Sequence, residues 1–201
     1  MKEEVTSVTK IILVLLITFF SANCFAENTK LAGNVAILIA KRHYEHPVRL
    51  LHPYLDVWHL KGPMAEKVAL KLLDKRFANS RLCANSKNAD AVLLIEPQMF
   101  YNAQSRVFYA EMIVKAYAPL TEAPNTQNYA TLIKKQAQQL GELSIKPDVA
   151  MEKAYTKAME KVIKKLETDP AFLALLNTSK TNTAETQCGA LNDLPISTIY
   201  Y

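Results

Sequence analysis

Four histidines, His43, His46, His52 and His59, fall between positions 43 and 59 and are the densest set of metal-binding side chains in the chain. A zinc or copper ion needs neutral imidazoles converging at about 2 Å, and Glu45 or Asp56 could add a carboxylate. The steps of three, six and seven residues match no metal-binding signature. Pro47 and Pro53 also break any helix that would set two rings on one face. The residues therefore read first as surface histidines with aromatic neighbours. The alternative is a metal-binding protein or metal-dependent enzyme built on residues 43–59. No Gly-x-Ser-x-Gly, His-Glu-x-x-His, phosphate loop or Cys-x-x-Cys occurs, so neither catalysis nor a cofactor is expected.

A second grouping is aromatic. Phe100, Tyr101, Tyr109 and Tyr117 lie on two neighbouring strand-like segments, where aromatics ordinarily form core or cross-strand pairs. If the sheet face opposite the helices is open, Tyr101, Tyr109 and Tyr117 share it with Ile113. A face of that kind calls for a protein or lipid partner.

The chain begins like an exported one. Lys2 and Lys10 flank a short polar start, offset by Glu3 and Glu4, and the apolar run IILVLLITFF occupies residues 11–20. Small residues follow in SANCFA, with a cut expected between Ala26 and Glu27. A charged start, an apolar stretch of about 7–15 residues and a small-residue exit describe a secretory signal peptide. The run is too short for a membrane span, which needs roughly 20 apolar residues. Cys24 opens an alternative, a lipidated cysteine anchoring the chain to the outer membrane, but Ser21 and Asn23 make a poor lipid box. The mature protein is expected to be soluble and periplasmic.

Removing the signal leaves Cys83 and Cys188, which in an oxidising compartment suggest a disulfide. The bridge would close a loop of about 105 residues, worth roughly 4–5 kcal/mol as an upper figure. It would tether a polar tail, residues 177–201, that lacks the apolar surface to fold alone. Two unpaired thiols are the alternative. The net charge of +5 is spread along the chain, so a solvated lysine face is the expected reading and a nucleic-acid partner is not expected.

The elements that must position these residues follow from patterning. Residues 35–40, VAILIA, read as a strand covered on both faces, and 43–62 as a connector rich in His, Pro and aromatics. Gly62-Pro63 opens a helix whose stripe is Ala65, Val68, Ala69, Leu72, Leu73 and Phe77, ending near Asn79. Strands from Ala91 and over 107–118 flank a short turn and should pair as an antiparallel hairpin, with Pro97 marking a bulge or an edge. Residues 129–140 fit a weak helix or, preferably, a further strand. Pro147-Asp148 starts the clearest helix, lined by Met151, Ala154, Tyr155, Ala158, Val162 and Leu166, and Asp169-Pro170 caps a short sequel. The expected fold is α+β over residues 27–176: a mainly antiparallel four-stranded sheet, ordered strand-helix-strand-strand-strand-helix, with two helices on one face.

This order resembles the small Gram-negative envelope proteins grouped as auxiliary lipoproteins of transport systems, and amino-terminal TolB-type domains. The stretches NADAVLLIEPQMFYNAQSRVFYAEMIVKAYA and PDVAMEKAYTKAMEKVIKKLETDPAFLALL carry the likeness, which spans residues 34–176. The resemblance implies a non-catalytic accessory or assembly factor with an envelope protein or lipid as partner. The chain departs from the pattern in its lipid box, its histidine-rich connector and its cysteine pair.

Overall fold

The computed structural model describes residues 30–86, 88–119, 128–177 and 184–194. The expected signal segment, Cys24 and the expected Ala26–Glu27 cut lie outside the described residues. In chain order the elements are β1 (Leu31–Leu38), α1 (Lys41–Tyr44), β2 (Pro47–Leu51), β3 (Asp56–Leu60) and α2 (Lys61–Leu73). They continue with β4 (Phe77–Leu82), β5 (Ala91–Asn102), β6 (Val107–Tyr117), β7 (Thr131–Leu140), α3 (Pro147–Leu166), α4 (Pro170–Asn177) and α5 (Ala184–Asn192). The α+β class expected from patterning holds, and the sheet is larger: five strands in the order β4-β1-β5-β6-β7, beside a two-stranded β2-β3 sheet.

The hairpin of β5 and β6 is the backbone of the sheet, in continuous antiparallel register from Val92↔Tyr117 to Asn102↔Val107. The side chain of Asn102 closes the turn by accepting from the amides of Gln104 and Ser105. Residues 131–140 are the strand β7, paired with β6 from Thr131 to Leu140. No register shift occurs at Pro97, so it makes no bulge. Pairing of β1 with β5 stops at Leu94, so Pro97 lies on a stretch with no ladder partner on that side, where its missing N–H costs nothing.

Two regions depart from the expected order. Helix α2 ends at Leu73, and the chain turns through a bond from the Arg76 amide to the Leu73 carbonyl. Phe77, placed on the helical stripe by its four-residue step, instead starts β4, which pairs in parallel with β1. Its ring is fully buried against Phe172 of α4, so its apolar character serves the core from a strand. The other departure is the connector, whose residues 47–60 form the β2-β3 hairpin.

Helices α2, α3 and α4 cover one face. Helix α3 dominates it: Met151, Ala154, Tyr155, Ala158, Met159, Val162, Ile163 and Leu166 are all buried against the sheet and α2. Each large apolar side chain among them stabilises by about 1.5–3 kcal/mol relative to exposure. Gly62 is required where α2 begins, since any Cβ there would run into the Tyr44 backbone of α1. The opposite face is covered at one end by α5. Ala184, Cys188 and Leu191 pack on Ala36, Ala40, Val92, Leu94 and Tyr117, and Cys188 is bridged to Cys83. Part of the polar tail is therefore helical. It is held by this disulfide and by contacts such as the Lys41 amide to Asn192 Oδ1.

Candidate functional site

The four histidines do not converge. His43 sits in α1, His46 is exposed just before β2, His52 follows β2 and His59 is buried in β3. The hairpin explains the separation, because it carries His52 and His59 to different neighbours. The His52 ring lies 6.5 Å from that of Tyr101, and the His59 ring 6.1 Å from that of Tyr155 in α3. Among the described residues no group of three or more His, Cys, Asp or Glu is placed to hold a metal ion. Burial pushes the His43 pKa down to about 4, with Arg42, Lys61 and Lys115 adding to the shift and Glu96 opposing it. Burial also lowers His59, against the pull of Asp148.

The aromatic set is divided by the register of the β5-β6 hairpin. Tyr101 pairs with Phe108, which faces the helices, and not with a residue of the Tyr109 face. It is therefore core, with its ring 4.6 Å from that of Phe108. The turn length decides this: with Asn102 opposite Val107, an odd-numbered residue on β5 shares its face with an even-numbered one on β6. Tyr117 does point to the far face but is buried beneath α5, and burial pushes its pKa up to about 12. Only Tyr109 and Ile113 remain partly open, with Phe100 beside Tyr109 at a ring separation of 5.8 Å. Ile113 lies within a charged ladder, Glu96–Lys115 at 2.9 Å and Glu111–Lys134 at 3.1 Å. That face is more polar than the alternation of β6 alone implies.

The β2-β3 hairpin presents a different surface. Its inward residues Val48, Leu50, Val57 and His59 alternate with outward Arg49, Leu51, Asp56, Trp58 and Leu60. The outward face is unusually apolar: Leu51 and Trp58 are each 59% exposed, Leu60 51% and Tyr54, in the turn, 91%. The charges on it are neutralised, since Arg49 bonds Asp56 at 2.8 Å. The period-two alternation of residues 47–51 and 56–60 was the available signal, masked by Pro47 and Pro53.

Beside this face runs an open groove of about 490 Å³ between β3 and the first turns of α2 and α3. Trp58, Leu60, Pro63 and Met64 supply apolar lining, and His59, Lys67, Asp148 and Glu152 the polar groups. Lys67 and Glu152 pair at 2.9 Å, whereas Asp148 makes no ion pair among the described residues. The lining has no hydroxyl or thiol. What it offers is apolar contact, an aromatic ring and one uncompensated carboxylate.

Comparison with known proteins adds little. No family model matches the chain, and no curated protein matches it. A crystal structure from Xanthomonas campestris, described as a DUF330 protein, is similar at 11% identity with a TM-score of 0.47, covering 67% of this chain and 83% of that one. None of these comparisons assigns the transport-auxiliary or TolB-type families. Among the described residues no helix is long and apolar enough to cross a membrane, and the Cys83–Cys188 disulfide is of a kind that persists in oxidising, exported compartments.

Proposed function

We propose that this protein is a non-catalytic accessory factor of the cell envelope that captures a partner through the outward face of the β2-β3 hairpin. The observation that carries the reading is the exposure of Leu51, Tyr54, Trp58 and Leu60 on one small hairpin. Large apolar side chains gathered on a surface mark interaction sites, and Trp and Tyr are the residues that most often anchor them. The secretory pattern of residues 1–26 and the disulfide support an exported setting. A protein partner is favoured over a lipid surface. The cations on the face and in the adjoining groove, Arg49 and Lys67, are matched by acids in Arg49–Asp56 and Lys67–Glu152, so the face itself offers anionic headgroups little free positive charge.

The test is a capture experiment from envelope extracts with mature protein and a Trp58→Ser/Leu60→Ser variant. Both residues are more than half exposed, so the variant is expected to fold as the parent does. It should lose its specific partner. Retention of the same partner by a folded variant would move the site away from the hairpin. Loss of binding to protein-free vesicles in place of a protein would establish the lipid reading.

A further inference from the structure

We propose that the groove beside β3 receives an extended segment of a partner protein, which pairs with the free edge of β3 and sets a basic side chain against Asp148. This rests on the reading of the protein as a partner-binding module and specifies the chemistry of what it binds. Three consecutive residues of one strand, Trp58, His59 and Leu60, line the groove. Successive side chains on a strand point to opposite faces, so a groove that touches all three runs along the strand's edge. Among the described residues β3 pairs only with β2, which leaves that edge's main-chain groups without a strand partner.

The β7 edge of the main sheet is treated differently. On β7 the Gln136 carbonyl accepts from Lys161 Nζ at 2.8 Å, and the Gln138 carbonyl lies 3.5 Å from Lys157 Nζ. Lysines laid over an edge strand are a standard guard against unwanted pairing. Among the described residues no lysine bonds a β3 carbonyl: Lys67, the one lysine lining the groove, pairs with Glu152, and an apolar floor of Pro63 and Met64 borders the strand. An added strand gains affinity from main-chain hydrogen bonds and specificity from pockets for alternate side chains. Here those contacts are apolar and acidic: Met64, the open ring of Trp58 and the unpaired carboxylate of Asp148. A lysine or arginine is the side chain that an aromatic face and a carboxylate hold together. An acidic segment would meet the unpaired carboxylate of Asp148 and be repelled, since Glu152 is already matched by Lys67.

The experiment titrates two capped pentapeptides, Val-Lys-Val-Lys-Val and Val-Glu-Val-Glu-Val, into isotope-labelled mature protein observed by NMR. The lysine peptide is expected to give saturable shifts in the backbone amides of residues 56–60 and to slow their hydrogen exchange. The glutamate peptide should bind at least tenfold more weakly. Asp148→Asn should reduce affinity for the lysine peptide severalfold and Asp148→Lys should abolish it. Asp148 is exposed, so neither change disturbs the core. Equal binding of both peptides, insensitivity to Asp148→Lys, or shifts confined to the outward face would overturn the inference. If peptides leave β3 unmoved while the Trp58→Ser/Leu60→Ser variant still loses its captured partner, the edge pairing is wrong and the wider reading stands. If that variant also keeps its partner, both fall.

Discussion

His43 and His59 are the residues whose chemistry the fold alters most clearly in the physiological range. Both have pKa values held below the ordinary 6.5, His43 at about 4, and burial is the leading cause for each. A depressed folded-state value means that the unfolded chain takes up its proton first as pH falls. The stability these neutral imidazoles allow is fully present above about pH 6.5 and is lost progressively toward pH 4. Chemical denaturation at pH 7 and pH 5 should show a lower midpoint at pH 5. A His43→Asn/His59→Asn variant should show a smaller drop. An unchanged drop would assign the acid sensitivity to other groups. Two buried atoms nearby, His59 Nε2 and Tyr155 Oη, have no hydrogen-bond partner among the described residues. Burying polar groups unpaired is costly, which makes the underside of the hairpin a weakly secured part of the molecule.

At the scale of elements, α5 is the piece most dependent on a single covalent link. Its apolar contribution is a few small side chains and Leu191, and it is joined to the domain through Cys83–Cys188 across a sequence separation of 105. Replacing Cys188 with Ser should lower stability by at most a few kcal/mol, below the roughly 4–5 kcal/mol of the chain-entropy limit. The main core on the other face of the sheet, built around α3, is untouched by the change. The variant should still fold, with α5 newly sensitive to proteolysis and Tyr117 newly accessible to solvent by near-ultraviolet spectroscopy. Equal protease resistance of parent and variant would show that packing alone holds α5.

Across the whole molecule, most of the exposed large apolar residues gather at one end, with Tyr129 and Leu132 around the start of β7 the exceptions. Trp58 and Leu60 on the hairpin are joined by Phe100 near the end of β5, Leu140 at the end of β7, and Ile145 and Val149 around the start of α3. That end is where the proposed partner contacts lie, while α5 and the disulfide occupy the opposite reach of the sheet. Lipidation of Cys24 would decide whether this surface works in solution or beside a membrane. The mature chain is expected to begin at Glu27 and to fractionate with soluble periplasmic proteins, checked by intact-mass and amino-terminal analysis. A diacylated Cys24 in that spectrum would replace the soluble form with an anchored one.

The features read correctly from sequence are those set by local repetition. Alternation defined β6 and its pairing with β5, a stripe at helical spacing defined α3, and the pair of cysteines left outside the expected signal pointed to the Cys83–Cys188 bridge. Residues 131–140 read as a strand because β6 offered an adjacent partner. What only the tertiary structure decided depends on groups far apart in the chain. Parallel pairing of β1 with β4 and β5 joins segments tens of residues apart, and nothing in the local pattern around Phe77 distinguishes a helix's last turn from a buried strand. The facing of Tyr101 hangs on the length of one turn, and the burial of Tyr117 on a helix some seventy residues away. The hairpin face follows the same rule. Alternation could show that Trp58 and Leu60 point together, but only the packing around them determines that nothing in the described chain covers them.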